Sequence, residues 1–365
     1  MRIAVLSHDL SSNASMRAHR LASMARSFAE VELVGPVGKE GMWGALPEEG
    51  IRVLPKRRFP EFFRTFTEIV EAARGDVVVA VRPHLASFGA ALVASELREI
   101  PVVLDVDDLD TALAPRRAWG GRPSVTDLAR PGSAVYASLL MRAKAAAAAT
   151  TASSSALAER FGGEVIPHGV DTDLFDPSRV DRDEARRTFG FSVPVVLFPG
   201  TPRRHKGIDV LRAAVSRIPG VRLAVTCRPS DLRGPQWDQV PPIRLPQVRY
   251  PDLPRLLAAA DVVAIPQLDE EAARYQMPMK VFDAMAMGAP VVATSMSDLP
   301  SVLQGCGVIV PPGDTAALAD AIASLVGDPV RAKALGRRAR ERCIDHYALD
   351  KVSEKLHAVV SRVAR

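Results

Sequence analysis

Short runs of consecutive apolar residues alternate with longer stretches whose apolar positions recur every three or four residues. The first run, Ile3-Ala4-Val5-Leu6, closes in Ser7-His8-Asp9, and Ser11-Ser12-Asn13 supply helix-capping residue types before a helical stretch from Met16 to Phe28. Further runs follow at Val31-Glu32-Leu33-Val34, Ile51-Arg52-Val53-Leu54, Val77-Val78-Val79-Ala80 and Val102-Val103-Leu104, with helical segments between several of them. Continuous apolar runs alternating with helices predict a parallel sheet covered on both faces. A second series, Val195-Val196-Leu197-Phe198, Leu223-Ala224-Val225, Val262-Val263-Ala264-Ile265, Val291-Val292-Ala293-Thr294 and Val308-Ile309-Val310, predicts a second Rossmann-like sheet. Between the two series residues 171–192 are charged and irregular, contain Pro177, and read as the interdomain connection. The expected organisation is therefore a domain over 1–170, a connection over 171–192, a second domain over 193–345, and a helical tail over 346–365 that starts with a break at His346-Tyr347-Ala348. In the alanine-rich stretch 143–158 the first half reads as helix, since Ala is the best helix former, and Thr150-Thr151-Ala152-Ser153-Ser154 reads as a short buried strand.

Composition narrows the class. Over 365 residues the chain is 47% hydrophobic and 24% charged, which excludes a mainly disordered, collagen-like or coiled-coil architecture. The net charge of +5, from 47 basic and 42 acidic residues, is too small and too scattered to mark a nucleic-acid surface. No run reaches the ~18 apolar residues of a membrane span, and MRIAVLSHDL is too short an apolar start for a signal peptide. The expected location is cytoplasmic, with peripheral contact at the inner membrane face. Cys227, Cys306 and Cys343 are odd in number and far apart, so neither a disulfide framework nor a zinc site is encoded.

Ligands of open parallel sheets bind beyond the carboxyl ends of the strands, so two sheets facing a central cleft imply one set of site residues from each domain. In the second half, Pro199-Gly200-Thr201-Pro202-Arg203-Arg204-His205-Lys206-Gly207 follows a strand and precedes a helix. Gly200 and Gly207 allow close backbone approach, and Arg203 and Lys206 offer a fork of donors and a point charge to an anion; an ordinary solvated basic turn is the alternative. Pro278 and Gly288 bound a helix of roughly ten residues, whose first N–H groups, at Met279, Lys280 and Val281, suit a diphosphate. Asp283, one turn in, suits two vicinal hydroxyls; the alternatives are a core role for the methionines and a dipole role for Asp283.

In the first half, Ser12 and Asn13 lie in the loop after the first strand. Arg17 and Arg20 follow on the next helix, one expected to face the cleft and the other solvent. His8 and His168 follow strands and are cleft candidates, although a lone histidine is more often structural. Asp105-Val106-Asp107-Asp108-Leu109-Asp110 offers clustered carboxylates after a strand; Asp105 and Asp110 individually also suit capping or a solvated loop. Lys56–Phe66 and Arg116–Arg122 mix basic and aromatic residues, which suits an anionic membrane surface or a phosphorylated, lipid-linked acceptor. Phe62, Phe63 and Phe66 read more simply as the buried side of a helix.

The order His168-Gly169-Val170-Asp171, Gly200 with Lys206-Gly207, Lys280 through Asp283-Ala284-Met285-Ala286-x-Gly288-x-Pro290, and Gly307 through Pro311-Pro312-Gly313-Asp314 resembles glycosyltransferase family 4. The motifs are specific over 165–314 and weak before. The resemblance implies a retaining GT-B enzyme of two Rossmann-like domains, α/β with parallel sheets, that moves a sugar from a nucleoside diphosphate to an acceptor hydroxyl without metal or other cofactor. It implies donor binding by the second domain, with Arg203 and Lys206 on the diphosphate and Asp283 on the ribose. It also implies an acceptor-side first domain and a last helix that crosses back onto it. Three positions depart from the pattern. Tyr275 stands where the family has a Glu, with Glu270 or Glu271 as substitutes from the same loop; Thr201 stands where an Arg is usual; and Asp107-Asp108 follow the strand where a His is frequent. Asp107 and Asp108 thereby become the candidates for gripping acceptor hydroxyls or the reacting sugar, beside Arg203 and Lys206, which stabilise the departing diphosphate. The expected partners are a nucleoside-diphosphate sugar and a hydroxyl-bearing glycan, lipid-linked or small-molecule acceptor. The rival readings are a sugar-nucleotide epimerase, an Mg²⁺-dependent phosphotransferase built on the Asp105–Asp110 cluster, and a catalytically silent nucleotide-sugar-binding relative.

Overall fold

The computed structural model of the protein describes residues 1–43, 46, 50–113, 125–228, 231–232, 237 and 241–364; the Arg116–Arg122 segment lies outside the described residues. The chain divides into two compact units, one made of Met1–Gly169 with Leu349–Arg365, the other of Val170–Ala348.

The first unit holds strands β1 (Arg2–Ser7), β2 (Glu30–Val37), β3 (Ile51–Pro55), β4 (Val77–Val81), β5 (Val102–Val106), β6 (Ala149–Ala152) and β7 (Glu164–Val165). They form one parallel sheet in the order β3-β2-β1-β4-β5-β6-β7, with Ile3 opposite both Val31 and Val77 and Val103 opposite Ala149. Every residue of β4 and β5 is buried, the mark of central strands covered on both faces. The last helix, Leu349–Val363, belongs to this unit: Val352, Leu356, Val359 and Val360 join Val5, Leu21 and Met24 in one apolar cluster.

The second unit holds β8 (Val195–Phe198), β9 (Arg222–Thr226), β10 (Ile243–Leu245), β11 (Val262–Ile265), β12 (Val291–Thr294) and β13 (Val308–Val310), parallel in the order β10-β9-β8-β11-β12-β13. In both sheets the chain order reverses beside the first strand, between β1 and β4 and between β8 and β11, which opens a crevice at the carboxyl ends there. Residues 171–192, expected as a connection, fold within this unit. Asp181 caps the helix Arg182–Phe189 through the N–H groups of Asp183 and Glu184, Gly190 ends it at φ 69°, and Arg182 and Arg186 pair with Asp261. Asp314, the last residue of the proline-glycine motif, caps the helix Thr315–Gly327 in the same way. The break in the tail falls at Ala348, in extended conformation after the helix Pro329–Tyr347.

Local expectations are corrected at four places. The alanine-rich run makes only a 3-10 turn at Lys144–Ala146, because residue 149 already pairs in the sheet. In the helix Phe62–Ala72, Phe62 is buried and Phe66 half-buried, but Phe63 is 64% exposed, being about 100° further round the axis. Arg17 and Arg20 are both buried, so neither faces solvent. The helix Ser15–Ala25 starts after Ala14 without a side-chain cap; Ser12 contributes its carbonyl, which accepts from Ser15 N and Oγ.

Candidate functional site

In the first unit a buried polar cluster lies beyond β1, β4 and β5. Arg17, on the helix Ser15–Ala25, grips Asp105 with two charge-assisted bonds, Nε to Oδ2 at 2.9 Å and Nη2 to Oδ1 at 2.7 Å. Its guanidinium also donates to the carbonyls of Ile166 and Pro167, and Thr151 Oγ1 donates to Asp105 at 2.7 Å. Asp105 is thus a fully buried strand residue with its acceptors used, which corrects its reading as a capping or solvated acid. Asp107, two residues on, has no such grip: its Oδ1 lies 4.0 Å from Arg17 Nε and 3.6 Å from His168 Nε2. Burial first, then the Asp108 charge, pushes its carboxyl up to about 7, against the pull of Arg17 and Arg82. His168 is buried beside it, 3.5 Å from Arg17.

Asp108 and Asp110 belong to Arg82, whose Nη2 lies 2.8 Å from each. Asp110 also meets His84 Nε2 at 3.1 Å; burial pushes this carboxyl up, but Arg82 and His84 hold it below its ordinary range. It is therefore a mostly buried, paired acid at the first residue of the helix Asp110–Leu113, which corrects its reading as a solvated loop acid. Arg82 has φ 68°, a left-handed conformation that costs a non-glycine residue about 1–3 kcal/mol and collects at functional positions. Its backbone is pinned by its N–H to Asp105 O and by Ser87 Oγ donating to its carbonyl at 2.6 Å. The His84 ring stacks on His8 at 4.1 Å, and burial first, then His84 and Arg82, lowers His8 well below the usual imidazole range. His8 Nδ1, His84 Nδ1, Arg82 Nε and Asp110 Oδ2 are buried without partners. Arg82 and His84 were missed in the sequence, although Arg82-Pro83-His84 directly follows the apolar run of β4. Among the sequence candidates, His8, Arg17, Asp107, Asp108 and His168 share this cluster. Asn13 is exposed at the helix start, Ser12 is half-buried there, and Lys56 pairs with Asp9 at 2.8 Å.

In the second unit the loop after β8 packs on the loop after β11. Gly207, at φ 68°, opens the helix Ile208–Val215 and has the Pro266 carbonyl where a Cβ would stand, while Leu268 N donates to His205 O at 2.9 Å. Gly200 is needed for a different reason: a Cβ there would collide with Lys280 Nζ. Lys280 stands in the first turn of the helix Met279–Ala286; burial first, then Lys206 and Arg203, lowers its ammonium well below the usual range, opposed by Asp283. Lys206 and exposed Arg203 thus place positive charge beside Lys280 and Gly200. The N–H of Val281, expected to be free, bonds Pro278 O at 3.2 Å, and its side chain is buried; Met279 is half-buried. Asp283 is 3% exposed. Glu270 pairs with Arg204 at 3.2 Å, and Glu271 opens the helix Glu271–Tyr275. Among the described residues no group of three or more His, Cys, Asp or Glu is arranged to hold a metal ion, and no helix is long and apolar enough to cross a membrane.

Residues 193–328 match the family described as Glycosyl transferases group 1. Over 217 residues the chain is 29% identical to a D-inositol 3-phosphate glycosyltransferase of Mycolicibacterium paratuberculosis, covering 55% of this chain and 48% of that protein. The chain thus spans about half the length of the curated relatives it matches. Among solved structures it resembles Anabaena Alr3699/HepE in complex with UDP-glucose, with TM-score 0.76 at 20% identity over 99% of this chain and 100% of that one. It also resembles the sucrose-phosphate synthase of Thermosynechococcus elongatus, with TM-score 0.73 at 19% identity over 100% and 99%. At such identity the likeness shows the fold, a GT-B pair of Rossmann-like domains.

Proposed function

We propose, from a chain whose residues 193–328 match the Glycosyl transferases group 1 family, that the protein is a retaining, metal-independent glycosyltransferase moving a sugar from a nucleoside diphosphate to an acceptor hydroxyl. The observation that carries this reading is the convergence of Lys206, Lys280 and Arg203 on the turn at Gly200. A lysine whose ammonium form is disfavoured by burial and by neighbouring cations gains most when a dianionic group arrives, and a departing diphosphate is such a group. Asp283, on the same helix, takes the ribose hydroxyls in this reading.

The first unit holds the acceptor. Asp105 and Arg17 satisfy each other and set the frame; Asp107, near neutrality and held loosely, grips an acceptor hydroxyl, with Asp108 and Arg82 beside it. In a front-face reaction the donor's own phosphate takes the acceptor proton, so no obligatory base is assigned. The guanidinium groups that pair Asp105, Asp108 and Asp110 occupy the places a Mg²⁺ ion would need, which disfavours the phosphotransferase.

Calorimetric titration with UDP, GDP, ADP and dTDP, each with EDTA and with Mg²⁺, tests the reading. One diphosphate is expected to bind equally in both, and to lose at least tenfold in affinity in Asp283→Ala. Binding that requires Mg²⁺, or none at all, would sink it. UDP-glucose, bound by a structural neighbour, and D-inositol 3-phosphate, named in the relatives' activity, are the first donor and acceptor to try. The anomeric configuration of the product, read by NMR, decides retention.

A further inference from the structure

The loop after β11 carries a group that no role above uses. Gln267 is 2% exposed, and both its carboxamide atoms, Oε1 and Nε2, are buried without a partner. A buried amide without hydrogen bonds costs free energy, and such groups in native proteins call for an explanation. The residue is not loosely placed. Its carbonyl accepts from Thr294 Oγ1 at 2.8 Å, and its neighbours Pro266 and Leu268 touch the loop at Gly207 and His205. The same junction holds a second orphan, His205 Nε2, also buried and unpartnered. Burial first, then Lys206 and Arg203, lowers His205 to about 4 against a side-chain hydrogen bond with Gln276, so its imidazole is neutral at pH 7.

The junction therefore joins two chemistries. Lys206 and Arg203 are cations and, with the amine of Lys280 beside them, match an anion; Gln267 and His205 are neutral and offer at once donors and acceptors. An uncharged pair of that kind matches vicinal hydroxyls, each of which donates and accepts, better than it matches phosphate oxygens, which only accept. Asp283 is assigned to the ribose, so the hydroxyl-bearing part of the donor left to read is the sugar to be transferred. We infer that Gln267, with His205 on the loop packed against its own, forms a neutral subsite for hydroxyls of the transferred sugar. The inference rests on the donor-binding reading above and adds which group discriminates the sugar.

Gln267→Met keeps the length and shape of the side chain and removes both polar atoms. Wild type and variant are titrated with UDP, GDP, ADP and dTDP and with UDP-glucose, GDP-mannose, ADP-glucose and dTDP-glucose, and their melting temperatures are compared without ligand. The expected result is a variant with unchanged affinity for the diphosphate that binds, about tenfold weaker affinity for its sugar conjugate, and a melting temperature equal to or a few degrees above that of wild type. Equal loss for diphosphate and conjugate would overturn the inference, because Gln267 would then serve the nucleotide. No loss for either would overturn it too, as would a wild type that binds no conjugate more tightly than its bare diphosphate. A wild type that binds none of the four diphosphates would instead remove the donor reading itself, and this inference with it.

Discussion

Two aspartates two positions apart on one strand end show how the environment divides a residue type into two roles. Asp105 is fully buried and fully bonded by Arg17 and Thr151, so removing the guanidinium leaves an uncompensated buried charge. Arg17→Ala is expected to cost about 3–5 kcal/mol of stability, read as a lower urea midpoint at unchanged slope. Asp107, by contrast, is half-buried and meets His168 only at 3.6 Å and Arg17 only at 4.0 Å, and its carboxyl is raised from 3.8 to about 7. The folded state then holds this proton more tightly than the unfolded chain does. The stability it contributes is full below pH 3.8 and is lost as pH climbs through about 7. Denaturant unfolding across that window is expected to show a decline in wild type that is shallower in Asp107→Asn. The same variant is expected to lower turnover with donor affinity retained; a parallel decline in both proteins would assign the proton elsewhere.

At the scale of the loop, Gly200 and Gly207 separate binding from folding. A methyl at Gly200 meets only the far end of the Lys280 side chain, which can swing away, whereas one at Gly207 meets the Pro266 carbonyl at a left-handed φ. Gly200→Ala is expected to weaken diphosphate binding at nearly unchanged melting temperature, and Gly207→Ala to lower the melting temperature by several degrees. Similar effects in both variants would contradict the distinction. The strands were legible in the sequence because central parallel strands are continuous apolar runs, as at Val77–Val81 and Val262–Ile265. The cationic loop was legible because Arg203 and Lys206 lie within one turn of their glycines. Partnerships between separate loops were not. Arg82 and His84 acquire meaning only when β4 is laid beside β5 and Asp108 and Asp110 come within reach, and Gln267 only when β11 is laid beside β8. The alanine run misled for a related reason: helix propensity yields where the sheet recruits residue 149.

For the whole molecule, the first unit is closed by a segment far away in sequence. The helix Leu349–Val363 is amphipathic, and its Leu356 and Val360 complete the cluster of Leu21, Met24 and Val5, while the second unit is built from Val170–Ala348 alone with its own core. A change in this helix therefore acts on a unit from which the whole of Val170–Ala348 separates it in sequence. Leu356→Ala removes a buried side chain and is expected to destabilise the first unit by about 2–5 kcal/mol. In differential scanning calorimetry one of two resolved transitions should shift down with the variant. The nucleoside diphosphate found by titration should raise the other transition in wild type and variant alike, since a ligand stabilises only the unit it binds. A variant that loses diphosphate affinity together with its first transition would show instead that the two units fold as one cooperative body, and that the last helix belongs to the donor site as much as to the first sheet.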